Sequence, residues 1–285
     1  MKENKWLSLT MVLLSYVLAA TIGIFVYHQT LTLGFVWAIL LGDIAATIVI
    51  YVIGLFLRNA SLYDPYWSVQ PMFILALVAM QQPTLHFGTL LLLIVVFLWG
   101  LRLTGNWIYT FENLTWQDWR YTMLNEKTGE LYPLVNLLGI HLFPTLVVFG
   151  VITPGILFIQ SPVFNVWTMI GAMIVLVGFL LELFADIQMQ TFRKARKSKD
   201  EIIRIGLWKH ARHPNYLGEI LVWFGVYVFL LSSQPSLWYF GAGAVINTLM
   251  FVFISMPMAE KRLRLYKPNF DQYVGETHLL LPFKK

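Results

Sequence analysis

The chain has 285 residues, of which 58% are hydrophobic and only 12% are charged, and its mean hydropathy is +0.67. This composition excludes a soluble globular protein and is typical of a protein that crosses a membrane several times. The sequence contains no cysteine, so disulfides and thiolate metal sites are excluded, and no metal is expected.

Continuous apolar runs along the chain predict transmembrane helices, because a β-barrel would show short segments of alternating hydrophobicity instead. Runs near the length needed to cross the hydrocarbon occur eight times, and the third is the shortest. The predicted spans are 7–27, 34–57, 66–80, 85–105, 134–159, 166–188, 216–232 and 236–257. The predicted fold class is therefore all-α: a polytopic integral membrane helix bundle with seven or eight transmembrane helices.

The distribution of cations predicts the orientation of this bundle. The 20 Lys and Arg residues, from Lys2 to Lys285, all fall on one side of the predicted spans. Short loops rich in Lys and Arg stay in the cytoplasm, so both termini are predicted to be cytoplasmic. The net charge of +5 then reflects contact with anionic membrane lipids and needs no nucleic acid. Residues 1–285 are interpreted as a single membrane domain, with cytoplasmic loops at 106–133 and 189–215.

Several ionisable side chains fall inside the predicted spans near their cytoplasmic ends. Such groups are costly in a bilayer and usually face a bundle interior, a water-filled cavity or a ligand. At about 1.5 Å per helical residue, Glu182, Asp186, His141 and Arg102 lie within about 10 Å of the inner ends of their spans. They predict a polar cavity that opens to the cytoplasm. Asp43 is the exception, because it lies nearer the opposite side.

The segment "RHPNYLGEILVW", 212–223, introduces polar residues at the start of an apolar helix. Pro214 suits a first helical turn, because the N–H group that proline lacks has no helical partner there. Asn215, Glu219 and Trp223 then recur at i, i+4 and i+8 on one face. A polar face of this kind is predicted to point away from lipid.

Cations surround the predicted N-terminus of that helix. The helix is preceded by Lys209, Arg212 and His213. The N-terminus of a helix also has backbone N–H groups without helical partners and the positive end of the helix dipole, and both favour a bound anion. These groups together predict a site for a phosphate or a carboxylate. Two interpretations of Glu219 remain open: it contacts a bound cofactor, or it pairs with a cation on a neighbouring helix.

A second group of polar side chains lies at the end of the sixth predicted span. It is followed by the basic run "FRKARKSK", 192–199. Asp186 and Arg193 belong to this set and lie seven residues apart, on one helical face. They form either a structural ion pair or a pair of ligand contacts. The basic run is either a solvated cytoplasmic loop or a site for an anion.

The C-terminal third of the sequence resembles the steroid 5α-reductase superfamily. The resemblance rests on "LELFADIQMQTFRKARK", "LWKHARHPNYLGEILVWFGVYVF" and "EKRLRLYKPNFDQYVGETHLLLPF", with "N-Y-x-G-E" at 215–219 as the most specific mark. Upstream, "RNASLYDPYWSVQP", 58–71, and "WGLRLTGNW", 99–107, resemble an uncharacterised, mainly bacterial branch of it. The resemblance implies a protein of a bacterial inner membrane.

The resemblance also implies an activity: an integral membrane reductase that binds NADPH from the cytosolic side and transfers hydride to an activated C=C bond of a lipophilic substrate. Its cofactor region would be about 166–285. The residues implied to bind NADPH are Asp186, Arg193, Arg212, Asn215, Tyr216, Glu219, Arg264 and Tyr266.

The substrate side departs from the superfamily pattern. Characterised steroid reductases carry an adjacent Gln-Glu pair in an early helix that binds the keto oxygen of the substrate, and the matching half of this chain has none. Asp64 and Tyr66 are the available replacements as catalytic hydrogen-bond donors to the developing enolate oxygen. A carboxyl group donates only when protonated, so Tyr66 is the simpler choice at neutral pH.

Two other functions remain open. Isoprenylcysteine carboxyl and phospholipid methyltransferases share a related "RHPxY" helix start, followed by an acidic residue, but use S-adenosylmethionine. Asn215 together with Glu219 favours the reductase. A non-catalytic lipid-binding membrane protein is the third alternative, and it would tolerate the missing Gln-Glu pair.

Overall fold

The structure, a computed structural model, describes residues 3–283, so Lys2 and Lys285 lie outside the described residues. The chain is 82% helical, and the described part contains no strand, which confirms the all-α prediction. The helices are α1 (Lys5–Thr30), α2 (Phe35–Leu57), α3 (Tyr66–Met80), α4 (Phe87–Thr110), α5 (Trp119–Thr128), α6 (Tyr132–Val135), α7 (Phe143–Gln160), α8 (Val166–Ala195), α9 (Pro214–Ser233), α10 (Ala242–Met250), α11 (Met256–Tyr266) and α12 (Phe270–Glu276). π-Helical turns at Asn136–Leu142 and Phe251–Ser255 join α6 to α7 and α10 to α11.

Helical segments long and apolar enough to cross a membrane number seven among the described residues. Together with the family assignment below, they make the chain an integral membrane protein. The short third span is a helix over the predicted residues, but its 15 residues place it outside this set of seven. Trp6, Trp37, Trp167 and Trp238 stand near the ends of spanning segments, and each is more than 60% exposed. Exposed tryptophans at helix ends are typical of membrane interfaces.

Local sequence signals fix several helix starts. The Asn4 side chain accepts a hydrogen bond from Leu7 N at 3.0 Å and caps α1. Asn165 and Thr168 form a reciprocal capping box at the start of α8. α9 begins at Pro214, as predicted.

Two predicted loops are partly wrong. The loop at 189–215 starts later, because α8 continues to Ala195 through residues with good helix propensity and ends with cations in its last turn. The loop at 106–133 contains α5, whose first turn is capped by the Asp118 side chain. Polar composition alone does not separate a cytoplasmic loop from a helix that continues past the hydrocarbon.

The chain divides into two compact units. Unit 1 runs up to Pro83 and also contains Gly100–Ile156, whereas unit 2 contains Thr84–Trp99 and the residues from Leu157 onward. In unit 1, α1 and α2 approach closely where a Cβ on Gly23 would lie 2.9 Å from the Gly42 carbonyl oxygen. In unit 2, α8 and α9 also approach closely, because a Cβ on Gly178 would lie 2.5 Å from the Gly218 carbonyl oxygen. Small residues at helix crossings allow this backbone contact in membranes.

Candidate functional site

The start of α9 is held by the C-terminal tail of unit 2. The Arg212 backbone N–H donates to the His278 carbonyl at 3.0 Å, and that of His213 donates to the Leu279 carbonyl at 3.1 Å. His278 N–H in turn donates to the His210 carbonyl at 2.8 Å. The approach to α9 is therefore a fixed element, positioned by backbone hydrogen bonds.

Glu260 of α11 supplies the carboxylate for the cations at this helix start. Arg212 Nε donates to Glu260 Oε1 at 2.7 Å, and His213 Nε2 lies 3.2 Å from the same oxygen. Arg264 Nη2 lies 3.8 Å from Glu260 Oε2, and Arg264 Nε donates to Asp271 at 2.8 Å. The anion predicted beside Arg212 and His213 is thus a side chain of the protein, and Arg212 and Arg264 are joined through it.

Asn215 and Tyr216 follow in the first turn of α9. The Asn215 side chain is half-buried and makes no hydrogen bond with the described residues. The Tyr216 ring stacks between His213 and Phe251, with centroid distances of 5.3 and 4.8 Å. The Asn215 amide is therefore available to a ligand, and Tyr216 forms part of the packing beside it.

Glu219 is buried and held by two tryptophans of unit 2. Trp223 Nε1 donates to its Oε1 at 2.6 Å, and Trp99 Nε1 donates to its Oε2 at 2.9 Å. The two indole rings meet edge to face at 4.7 Å. Within residues 3–283 these indoles, and no cation, are the side-chain partners of Glu219, so the ion-pair interpretation is wrong. The predicted i, i+4 face accounts for the Trp223 contact.

The end of α8 carries the other predicted polar set. Glu182 is buried, and its Cγ lies 2.4 Å from where a Cβ on Gly218 would stand, so the two helices touch at this level. Asp186 follows one turn later and is half-buried, whereas Arg193 is exposed. From Glu182 to Arg193 the helix rises by about 16 Å.

Three cations meet near the end of α8, and we call Arg193, Arg196 and Lys267 the cationic cluster. Burial first, and then the charges of Arg196 and Arg193, lower the pKa of Lys267 from its ordinary value. Lys267 Nζ donates to the carbonyls of Lys199 and Glu201, and it lies 5.7 Å from the centroid of the Tyr266 ring. Tyr266 itself is 44% exposed. The carboxylates of Asp200 and Glu201 act against this change, so both like and opposite charges lie near the Lys267 ammonium group.

Asp64 belongs to a loop contact in unit 1. Tyr121 Oη donates to Asp64 Oδ1 at 2.5 Å. In the same region Asn59 Nδ2 donates to the carbonyls of Leu114 and Trp116, each at 2.8 Å. Asp64 therefore links the connection before α3 to α5, while Asn59 links it to the segment before α5.

Asp64→Asn is expected to remove a pH dependence of stability. Burial raises the pKa of Asp64 from 3.8 to about 6, although Tyr121 and Arg120 act against this change. The folded protein therefore binds this proton more tightly than the unfolded chain does. The resulting stabilisation is fully present below pH 3.8 and is lost as the pH rises through about 6. It amounts to about 3 kcal/mol, at about 1.36 kcal/mol per pH unit. The measurement is unfolding in detergent micelles between pH 4 and 7.

The exposed Glu126 supplies the control for this experiment. Glu126→Gln should reproduce the pH profile of the unchanged protein, because no buried partner is lost. Asparagine retains an acceptor for Tyr121, so Asp64→Asn changes mainly the charge. An unchanged pH profile in Asp64→Asn would show that Asp64 titrates alike in the folded and unfolded chain.

Tyr66 lies apart from the Asp64 contact, on the wall of a cavity among α1, α2 and α3 in unit 1. Its hydroxyl donates to Asp43 Oδ1 at 3.3 Å. Asp64 does not line this cavity. Of the two predicted catalytic donors, Tyr66 is the one that lines a cavity.

Three residues of unit 2 were missed by sequence reasoning: Trp99, Glu260 and Lys267. Glu260 offered a signal, because it is a carboxylate one turn before Arg264 in a basic tail. Lys267 stands in the sequence as one of the cations that predict the orientation, and nothing nearby marks it further. Trp99 carried no signal, because it lies 120 residues from Glu219 and contacts it only in the folded chain.

Comparison with known proteins gives a family and several relatives. The family model described as "Protein of unknown function (DUF1295)" matches residues 50–277. An uncharacterized protein of Schizosaccharomyces pombe is 25% identical over 245 residues, covering 74% of this chain and 68% of that protein. The 3-oxo-5-alpha-steroid 4-dehydrogenase 1 of Macaca fascicularis is 30% identical over 115 residues, 40% of each chain, and that of Homo sapiens is 28% identical over 115 residues, 40% of this chain and 41% of the human one. The chain thus matches about two fifths of the length of these dehydrogenases. No solved structure matches.

Proposed function

Because the chain belongs to the DUF1295 family, which is the steroid 5α-reductase-like family, we propose that it is an NADPH-dependent membrane reductase. The proposed reaction transfers hydride to an activated C=C bond of a lipophilic substrate. The named relatives are 3-oxo-5-alpha-steroid 4-dehydrogenases, which supports an oxidoreductase. The observation that carries the cofactor proposal is the free Asn215 amide one turn before the fixed carboxylate of Glu219.

These two side chains suit the nicotinamide end of the cofactor. An amide without a protein partner both donates and accepts, and so matches a carboxamide group. Glu219 is an acceptor whose position is set by two indole N–H groups. A carboxylate oxygen accepts more than one hydrogen bond, so Glu219 retains capacity for a ribose hydroxyl.

The cationic cluster suits the phosphate groups of the cofactor. Arg193 and Lys267 offer positive charge at the end of α8, about 16 Å along the helix from the level where Glu182 contacts Gly218. A ligand that spans this distance must be elongated, as a dinucleotide is. We assign Asp186, which lies between the two levels, to the ribose groups.

Arg212, Arg264, Tyr216 and Tyr266 have smaller roles in this proposal than the resemblance implies. Glu260 neutralises Arg212 and approaches Arg264, and Tyr216 is stacked on both faces. We assign to the first three the positioning of the α9 start. Tyr266 is exposed beside Lys267 and is free to cover a bound ligand.

Tyr66 is the proposed catalytic donor of unit 1. When bound, NADPH supplies the hydride. The Tyr66 hydroxyl donates a hydrogen bond to the substrate oxygen, where negative charge develops. This hydrogen bond lowers the barrier to hydride transfer because it is stronger in the transition state than in the ground state. Tyr66 is buried, with 7% of its surface exposed, which limits the access of water to that hydroxyl.

We further propose that both termini lie in the cytoplasm of a bacterial cell and that the protein resides in the inner membrane. The cation distribution supports this orientation. The cationic cluster would then face the compartment that contains NADPH.

A ligand that binds only the folded protein raises its melting temperature, so a thermal shift tests the proposal directly. NADPH is expected to stabilise the purified protein, and S-adenosylmethionine is not. Arg193→Gln is expected to weaken NADPH binding about tenfold to a hundredfold, because it loses one charge-assisted contact. Its melting temperature without ligand should be unchanged, because Arg193 is exposed.

Lys197→Gln is the matched control, because it removes the same charge from an exposed position outside the cationic cluster. It should bind NADPH nearly as well as the unchanged protein. Stabilisation by S-adenosylmethionine alone would assign the protein to the methyltransferases. Stabilisation by neither ligand would favour a non-catalytic lipid-binding protein.

A further inference from the structure

A dense basic run lies at the end of the spanning helix α8. Residues 193–199 contain five cations, namely Arg193, Lys194, Arg196, Lys197 and Lys199. Four of these side chains are exposed, and that of Arg196 is half-buried. Clusters of Lys and Arg directly beside a membrane-spanning helix attract anionic lipid headgroups. Which of these cations face lipid depends on the rotation of α8.

The side of α8 that faces lipid ends in Lys194. Phe184 and Ile187 are 53% and 49% exposed, as expected for apolar side chains of a spanning helix that contact lipid. Lys194 lies two turns after Ile187, on the same side. Arg193 instead lies three turns after Glu182, on the side that contacts α9. Neighbouring cations of α8 therefore belong to two surfaces, and Lys194 continues the one that faces lipid.

Lys194 also lies at the depth of the lipid headgroups. Ile187 is the last large apolar residue on this side of α8, and Lys194 follows it by about 10 Å along the helix. The polar layer on each side of the hydrocarbon is roughly 5–8 Å thick. A lysine stem lies along apolar surface while its ammonium group stays in the polar layer. The Lys194 ammonium group therefore reaches the phosphates of lipids that pack against Phe184 and Ile187.

The end of α11 is fastened to the segment that follows α8. Lys267 Nζ donates to the Lys199 carbonyl at 3.2 Å and to the Glu201 carbonyl. Lys261 and Leu265 lie one turn apart on α11 and are exposed, Leu265 by 81%. An exposed leucine among cations is typical of a segment that lies in the membrane interface. α11 thus adds an apolar contact and a cation to the surface that includes Lys194.

The carboxylates of the same segment hold its backbone. Glu201 Oε1 accepts from the N–H groups of Lys197 and Ser198 at 2.9 and 3.0 Å. Asp200 Oδ1 accepts from the Ser198 hydroxyl. These hydrogen bonds shape the turn after α8. The five cations of the run outnumber the two carboxylates, so the segment keeps a positive charge.

We propose that one surface of unit 2 binds the headgroup of an anionic phospholipid. This lipid-binding surface consists of Lys194, Lys197, Lys261 and Leu265. The ammonium groups donate to phosphate oxygens of the headgroup, while the acyl chains lie along the exposed apolar side of α8. A zwitterionic lipid has the same phosphate but also a cation, which the lysines repel, so the surface selects lipids with a net negative charge. The proposed cofactor site uses Arg193 and Lys267 instead, so the lipid-binding surface does not depend on the reductase activity.

Phosphatidylglycerol and phosphatidylcholine with the same oleoyl chains test the proposal on the full chain in a neutral detergent, without NADPH. Native mass spectrometry measures the dissociation constant of each lipid. A lysine near an anionic surface strengthens binding about fivefold, so phosphatidylglycerol is expected to bind roughly tenfold or more tightly than phosphatidylcholine. Equal affinity for the two lipids would overturn the proposal. Competition by soluble glycerol 3-phosphate would also overturn it, because the site would then bind a free anion.

Variants locate the site on the lipid-binding surface. Lys194→Gln combined with Lys197→Gln should remove most of the preference for phosphatidylglycerol. Lys127→Gln combined with Lys209→Gln removes the same charge from exposed positions elsewhere and should retain the preference. Leu265→Ser keeps the charge and should weaken binding of both lipids, because it removes the apolar contact. Equal losses in the two double variants, or unchanged binding in Leu265→Ser, would overturn the proposal. Neither outcome alters the NADPH thermal shift, so the two proposals fail separately.

Discussion

Glu219→Gln is expected to lower the free energy of unfolding by about 2–4 kcal/mol. Glutamine keeps the shape of the side chain but replaces one acceptor oxygen with an NH₂ group, which then faces an indole N–H. The variant loses a charge-assisted hydrogen bond worth about 1.5–3 kcal/mol and leaves a buried donor without a partner. Denaturation in mixed detergent micelles, followed by circular dichroism, measures this loss.

A double-mutant cycle with Trp99 identifies the cause. Trp99→Phe removes the N–H group that donates to Glu219 Oε2 at 2.9 Å. If the two side chains interact as the structure shows, the double variant should lose less than the sum of the single losses, by about 1 kcal/mol or more. Glu112→Gln, at an exposed position, should change stability by less than about 0.5 kcal/mol. Additive losses would contradict the contact between the two side chains.

The same variant bears on the cofactor proposal. Glu219→Gln should also weaken NADPH binding, whereas Trp99→Phe should weaken it less, because the carboxylate is retained. Equal loss of affinity in both variants would indicate that disturbed packing, and not a lost ligand contact, lowers the affinity. Stability and affinity therefore have to be measured for each protein.

The membrane fold could be predicted from sequence because its signals are local. Apolar runs set the spanning helices, Pro214 set the start of α9, and the i, i+4 spacing placed Glu219 against Trp223. The resemblance seen in "N-Y-x-G-E" is confirmed by the family match over residues 50–277. Each of these inferences uses information within one helix or one motif.

Side-chain partners on different helices could not be predicted in the same way. Asp43 and Gln70 are 27 residues apart, and Arg212 and Glu260 are 48 apart. A single sequence shows which residues are polar and buried, but which of them meet depends on helix rotation and crossing. The cations beside α9 could therefore be recognised from the sequence, but Glu260 could not be identified as the carboxylate that Arg212 and His213 contact.

Glu182 of α8 contacts Gly218 of α9 where the two helices cross. A substitution that separates the helices at this crossing should lower the stability of the protein strongly. Gly178→Ala is expected to lower the free energy of unfolding by about 2–4 kcal/mol, at or above the usual range for overpacking. The added Cβ would lie 2.5 Å from the Gly218 carbonyl oxygen and 2.9 Å from Val222 N. Both are backbone atoms, so the helices must move apart and cannot relieve the overlap by a rotamer change.

Gly105→Ala is the matched control, because Gly105 is also helical and a Cβ there meets nothing within 4 Å. Alanine should stabilise the helix at that position by about 0.5–1 kcal/mol, since glycine loses more backbone entropy on folding. The two variants make the same chemical change, so the difference in sign isolates the helix crossing. A Gly178→Ala protein as stable as the Gly105→Ala protein would contradict the close approach of α8 and α9. Loss of NADPH stabilisation in Gly178→Ala alone would tie this crossing to the proposed cofactor site.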